Sequence, residues 1–261
     1  MIRIGAVGYL NARPLTWALD RSPDYWRVRY DLPSICAALL HSGETDLGLI
    51  PSIEYLQSPD YRFVPGVGIG SRGQIASVAL YSRVPVEDIR TIALDTSSRT
   101  SVSLIKVLCH HRFRIAPRFV SHGPDLAAMT RAYDAGLLIG DPAFDADHQA
   151  LALTKVDLGE EWTTMTGLPF IYAAWTGRPG VVSDADVRAL QDAQADGVAS
   201  RLAIAEEYGR GDAARAARAA AYLRDNVRYG LGPDEAAGLQ TFLDYAADLG
   251  LAPRRRQLEF F

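Results

Sequence analysis

TIALDTSSRTSVSLIKVL, residues 91–108, reads in order as strand, turn and helix. Ile92, Ala93 and Leu94 form a short β-type run that ends at Asp95. Five hydroxyl residues and one arginine then fill positions 96–101. Beyond them Val102, Ile105, Leu108 and Cys109 recur at three- and four-residue spacing, the pattern of a helix with one apolar face. Such a turn gathers free backbone N–H groups, the positive end of a helix dipole, several hydroxyl donors and a guanidinium. That combination suits a carboxylate or phosphate. Ser97 or Ser98 also serves as a plain helix cap, but a cap uses one hydroxyl and this turn holds five. Ser98, Arg99, Thr100 and Ser101 are therefore the candidate anion holders. Arg99 has a competing reading as half of an ion pair with Asp95 or Asp141.

Outward from this unit the chain alternates strand and helix. N-terminally, strands are expected at 2–7, 28–32 and 47–50, and helices at 11–19, 33–41 and 52–56, with Gly43 stopping the second helix. Gly66, Gly68, Gly70 and Gly73 read as a loop, 75–81 as a strand, and 83–88 as a polar crossover. C-terminally, strands are expected near Phe119 and at 137–140 and 169–175, and helices at 101–111, 124–135 and 157–166. Alternation of this kind predicts α/β architecture with parallel strands and crossover helices. From Ser183 the pattern is almost wholly helical, one face marked by Val187, Leu190, Val198 and Leu202. The alanine-rich run 213–221 is explained by helix propensity alone. The expected organisation is two lobes with a ligand cleft between them. The first lobe takes in 1–88 and 176–261, and the second, inserted lobe is 89–175.

Composition narrows the partners. The 261 residues allow one large or two medium domains. With 48% hydrophobic residues, 22% charged and a net charge of −4, nothing argues for a nucleic-acid or membrane partner. The arginine run 254–256 reads as a solvated tail. The opening MIRIGAVGYLNARPL has neither the apolar region nor the cleavage site of an export signal, so a cytoplasmic location is expected. Cys36 and Cys109 sit in apolar helical patterns and read as buried free thiols.

Five strings stand in a telling order: GYLNARPL at 8–15, SGETDLGLIPSIEY at 42–55, ALDTSSRTS at 93–101, IGD at 139–141 and DLGEEWTTMTGLPFIYAAW at 157–175. Together they resemble the chorismate dehydratases of menaquinone biosynthesis by the futalosine route, which have a type II periplasmic-binding-protein-like fold. The matches span residues 2 to 176; the helical C-terminal third is far less diagnostic. The resemblance implies loss of water from chorismate to give 3-[(1-carboxyvinyl)oxy]benzoate. Hydrogen leaves C3, hydroxide leaves C4, and the ring becomes aromatic. It implies no cofactor, neither nicotinamide nor flavin nor metal, because the oxidation level does not change. The only expected partner is the small-molecule substrate; oligomeric state is left open.

Two carboxylates on the substrate call for anion holders, and the 96–101 turn supplies them. Asn11 follows the first strand, at the carboxyl end where α/β folds place ligands. Its amide donates and accepts, so it suits the leaving hydroxyl or a carboxylate, while an N-cap role accounts for the residue type equally well. Ser52 holds a corresponding position after the third strand. Ser77 belongs to a strand that faces the cleft in one register. Ile139, Gly140 and Asp141 close another strand, with Gly140 permitting close backbone approach. Phe170 is a candidate apolar wall for the ring. No histidine is well placed as a base, so the substrate's own enolpyruvyl carboxylate is a candidate to take the C3 proton, with Asp141 the competing base. Asp141, Asp145, Asp147 and His148 have no zinc or EF-hand spacing. A transporter's solute-binding protein and the later naphthoate-forming synthase of the same route remain alternatives, since fold alone does not decide function.

Overall fold

The computed structural model describes residues 1–22, 24–253 and 255–261. Among the described residues ten strands form two five-stranded sheets. The strands are β1 (Ile2–Val7), β2 (Trp26–Asp31), β3 (Leu47–Pro51), β4 (Arg62–Ser71), β5 (Val78–Ser82), β6 (Thr91–Asp95), β7 (Arg118–His122), β8 (Ala135–Ile139), β9 (Thr154–Asp157) and β10 (Phe170–Gly177). The first sheet runs β2-β1-β3-β10-β4 and the second β7-β6-β8-β5-β9. Helices α1 (Arg13–Thr16), α2 (Pro33–Ser42), α3 (Arg99–Leu108), α4 (Leu126–Ala132), α5 (Gly140–Phe144) and α6 (Leu158–Thr166) connect them. Helices α7 (Asp184–Ala199), α8 (Arg201–Gly209), α9 (Ala213–Asp225) and α10 (Pro233–Asp248) complete the chain.

The α/β alternation holds, but neither sheet is purely parallel. β10 runs antiparallel to both β3 and β4, and β5 antiparallel to both β8 and β9. These are the strands by which the chain changes lobes, and they move the expected boundaries. β5 belongs to the second sheet and β10 to the first, so the crossings fall at 72–77 and 167–169 rather than at 88 and 175. The polar stretch before β6 looked like a crossover, yet it only joins two strands of one sheet. All eight residues of β10 are buried, which marks a central strand rather than the edge of an inserted unit.

Three local expectations also change. Gly66, Gly68 and Gly70 lie within β4, not in a loop. A Cβ at Gly70 would stand 2.6 Å from the Phe170 carbonyl oxygen, so glycine is what lets β4 approach the irregular, bulged β10. Leu202 is 69% exposed and takes no part in the C-terminal core, which Leu190, Leu239, Phe242 and Leu243 help to form. The basic tail is solvated only in part, Arg255 being exposed and Arg256 covered. Position 254 lies outside the described residues, but Arg256 lies 4.2 Å over the Tyr55 ring and donates to the Ser58 carbonyl. Phe63 then exchanges backbone hydrogen bonds with Glu259 and Phe261. Cys36 and Cys109 are buried and free, and burial pushes both thiols up to about 12.

The first crossing is held by one carboxylate. Asp157 caps α6 by accepting from Gly159 and Glu160, and it also accepts from the Ile75 and Ala76 amides. One side chain thereby ties the 72–77 linker to the start of the helix that leads back to the first lobe.

Candidate active site

The carboxyl ends of β1, β3, β6 and β8 face one another across the lobes, the place where α/β sheets receive ligands. Between them lies a cavity of about 40 Å³. Its wall includes Val7, Tyr9 and Asn11 from the first lobe, Ser98, Ser101, Ile139 and Gly140 from the second, and Tyr172 from β10. A water molecule needs about 10–15 Å³ of such space and small-molecule sites commonly offer about 300–1,000 Å³. The lobes are therefore shut more tightly than a ring with two carboxylate arms permits.

Helix α3 starts at this cavity. Ser98 is its N-cap, its hydroxyl accepting from the Ser101 amide at 3.3 Å and lying 3.1 Å from the Ser101 hydroxyl. Capping and cavity lining are thus one placement, not rivals. The amides of Arg99 and Thr100 open the helix and have no intrahelical carbonyl to meet. The Arg99 side chain turns away from the cavity. Its Nη1 donates to Glu54 Oε2 at 2.9 Å, and Glu54, only 2% exposed, also meets His41 Nε2 at 2.7 Å. Neither Asp95 nor Asp141 is its partner. Among the described residues no arginine or lysine lines the cavity.

Several other candidates stand just behind the wall. Thr100 is fully buried, and its hydroxyl accepts from the Ile53 amide at 3.2 Å. Ser52 donates to the Ile171 carbonyl at 2.7 Å. The Ser52 bond stays within the first lobe, whereas the Thr100 bond joins the two lobes, beside a 2.9 Å backbone bond from Ser34 N–H to the Ser97 carbonyl. Ser77 is buried, its hydroxyl 2.6 Å from that of Tyr222 and its carbonyl accepting from Gly140 at 2.8 Å. Asp141 accepts from the Leu10 amide at 2.9 Å, and it faces an outer pocket of about 410 Å³ with Arg13, Glu207 and Tyr208. Burial raises its carboxyl above the ordinary range, with the Leu10 amide opposing. Phe170 is a core residue between Trp162 and Phe242, because α6 and α10 cover that end of β10. Tyr172, two residues on, supplies the aromatic wall instead.

Tyr9 and Tyr172 were legible only in part. Tyr9 belongs to the GYLNARPL string and Tyr172 alternates with Phe170, but neither carries a charge or motif of its own. Tyr9 spans the lobes. Its ring lies so close to Gly140 that a Cβ there would come within 2.5 Å of it. Burial raises its phenol, while the Ser97 hydroxyl opposes that shift. No histidine and no carboxylate lines the cavity among the described residues.

The sequence model of a family described as menaquinone biosynthesis matches residues 2–248. The chain is also 31% identical over 269 residues to the chorismate dehydratase of Thermus thermophilus, the match covering 96% of each chain. The protein belongs to the menaquinone-biosynthesis family. Among solved structures, a protein of Archaeoglobus fulgidus has a TM-score of 0.74 at 20% identity, over 96% of this chain and 98% of that one. The periplasmic aliphatic sulphonate binding protein of Escherichia coli has a TM-score of 0.65 at 19% identity, over 100% of this chain and 94% of that one. At such identities the likeness shows the fold alone, which is periplasmic-binding-protein-like as the sequence implied. This menaquinone-biosynthesis family member has no helix long and apolar enough to cross a membrane among the described residues.

Proposed function

We propose that the protein is a chorismate dehydratase, a carbon–oxygen hydro-lyase of the cytoplasm that makes 3-[(1-carboxyvinyl)oxy]benzoate for menaquinone biosynthesis. The observation that carries this reading is identity to a chorismate dehydratase along nearly the whole of both chains. The site is compatible with that chemistry. Removing the C3 proton pushes charge through the ring diene into the ring carboxylate. The start of α3 offers that carboxylate the Arg99 and Thr100 amides and the Ser98 and Ser101 hydroxyls. Such donors favour the more highly charged transition state over the substrate. With Arg99 drawn off to Glu54, the stabilisation comes from dipoles and hydroxyls rather than a side-chain cation.

Asn11, in the helical turn Leu10–Ala12 that follows β1, is assigned to the departing C4 hydroxyl. A cavity lined by neither imidazole nor carboxylate favours proton abstraction by the substrate's enolpyruvyl carboxylate, which lies beside C3 once the lobes have opened to admit the substrate and closed on it. Asp141, bonded to Leu10 and facing the outer pocket, serves to join the lobes. Water loss leaves the oxidation level unchanged, so the scheme uses no cofactor.

The test is incubation of the purified protein with chorismate, followed by ultraviolet absorbance and mass. Protein-dependent loss of one water with appearance of the aromatic product is expected. A spectrum that changes only at the rate of spontaneous chorismate decay rejects the proposal and returns the protein to the solute-binding class.

A further inference from the structure

Strand β10 breaks its pairing at the cavity. Ile171 pairs with Gly70 of β4 and Ala173 with Ile69, so Tyr172 between them is an extra residue, the mark of a β-bulge. In a regular strand successive side chains point to opposite faces. Here Tyr172 and Ala173 both line the cavity, together with Ile69. A bulge that turns one side chain onto its neighbour's face accounts for this.

The turned side chain is held at both ends. Its hydroxyl lies 3.2 Å from that of Ser71, which donates in turn to the Gly73 carbonyl at 3.2 Å. A Cβ at Gly159 would stand 2.6 Å from the Tyr172 hydroxyl, so that end of the side chain is enclosed. Nearer the backbone, the Phe170 ring packs edge-on with centroids 4.8 Å apart. Ser71 and Phe170 belong to β4 and β10 of the first lobe, so the wall keeps its form when the lobes part. Burial pushes the phenol well above its ordinary range, the Asp157 charge adding to the effect and the Ser71 hydroxyl opposing it. The cavity therefore meets a neutral ring whose hydroxyl is engaged elsewhere. Tyr9, the other aromatic residue of the lining among the described residues, has its ring against Gly140.

One ring recognises another through offset or edge-to-face packing, which adds to the area buried. A saturated ring of the same width is puckered and has no π-system to match. In the elimination, the puckered diene of chorismate flattens to benzene as hydrogen leaves C3 and hydroxide leaves C4, so a rigid flat wall fits the later geometry better than the earlier. We infer that Tyr172 sets the ring specificity of the site: its ring selects a ligand whose six-membered ring is flat, or becomes flat in the reaction, over a saturated one. The inference rests on the dehydratase reading and deepens it, since the hydroxyls and amides at the start of α3 select for carboxylates and not for the ring that carries them.

Three measurements test this. The first compares, by calorimetry, 3-[(1-carboxyvinyl)oxy]benzoate with the same two carboxylate arms on a cyclohexane ring, so that charge is constant. The wild type should bind the aromatic probe about 2- to 10-fold more tightly. Tyr172→Phe keeps the ring and that preference, whereas Tyr172→Leu binds the two probes equally. A merely structural role would weaken both probes alike in Tyr172→Leu. In the second, kcat for chorismate falls about 2- to 10-fold in Tyr172→Leu with KM within about twofold. The third needs no leucine variant: nuclear Overhauser contacts connect the ring protons of bound aromatic probe to those of Tyr172, assigned by their altered pattern in Tyr172→Phe. Equal affinities in the wild type, a preference that survives Tyr172→Leu or vanishes in Tyr172→Phe, wild-type kcat in Tyr172→Leu, or absent ring-to-ring contacts would each overturn the inference. If the wild type prefers the aromatic probe and contacts it through Tyr172 but leaves chorismate unchanged, the ring specificity stands and the dehydratase reading alone falls.

Discussion

Gly140 shows how much one missing side chain decides. It has φ of +63°, opens α5 at the end of β8, and lies against the face of Tyr9 from the other lobe. Alanine there meets both a left-handed backbone and a ring 2.5 Å away, so it holds the lobes apart at the cavity. Gly140→Ala is expected to cut kcat/KM for chorismate by at least tenfold and to lower stability by about 1–3 kcal/mol, read by steady-state kinetics and urea unfolding. Asp134 makes a prediction of a different kind. Its carboxylate accepts from the Arg90 amide and from both the amide and hydroxyl of Thr91, tying the start of β6 to the start of β8. Burial works against the charged form, but those three bonds outweigh it and hold the carboxyl below its ordinary range. A depressed value in the folded state adds stability above the unfolded value, and that stability fades as pH falls through the folded one. Asp134→Ala should therefore cost about 1–2 kcal/mol near pH 7, with the gap to the parent closing below about pH 4 in urea titrations.

Helix α3 serves the cleft with one end and the lobe junction with its side chains. Ser98 and Ser101 line the cavity, whereas Arg99 and Thr100, one and two residues into the same helix, reach Glu54 and the Ile53 amide of the first lobe. Consecutive residues on a helix point about 100° apart, so a hydroxyl-rich start cannot aim every member at one ligand. Glu54, buried between Arg99 and His41, loses one of two partners in Arg99→Ala. Arg99 is 49% exposed and solvent screens the pair, so the expected loss is about 1–2 kcal/mol. It should appear as a lower Tm in calorimetry, with kcat within about threefold of the parent. A collapse of kcat with unchanged Tm would return Arg99 to the substrate. The strand–turn–helix unit itself was plain in the sequence, because apolar spacing and capping are local signals. Which hydroxyl faces the cavity was not, because that depends on how the opposing lobe meets the helix.

The two lobes are joined at 72–77 and 167–169 and by contacts across the cleft, including Leu10 to Asp141, Ser34 to Ser97 and Arg99 to Glu54. A cavity of about 40 Å³ behind these contacts admits no dicarboxylic ring, so substrate entry requires the lobes to swing apart. Small-angle scattering of the protein with saturating product should give a larger radius of gyration than without it, since the ligand holds apart lobes that are shut when it is absent. Identical curves with and without product would show that binding does not part them. The location of the antiparallel strands matters here, since β5 and β10 follow the two linkers and define what each lobe carries when it moves.

Local order alone determined that this is an α/β chain with a strand ending in a polar turn before α3, and five short strings in register implied the family and its cleft. Periodicity, capping residues and glycine stops act within a few positions, so they can be read along the chain. Tertiary structure decided the rest. β5 and β10 exchanged lobes because sheet membership depends on hydrogen bonds to strands distant in sequence. Arg99 left the anion site because a buried carboxylate from the other lobe stood within its reach. Phe170 went to the core and Tyr172 to the cavity because α6 and α10 cover one end of their strand. Tyr222 met Ser77 from the far end of the chain, because no local pattern marks a contact between residues 145 positions apart.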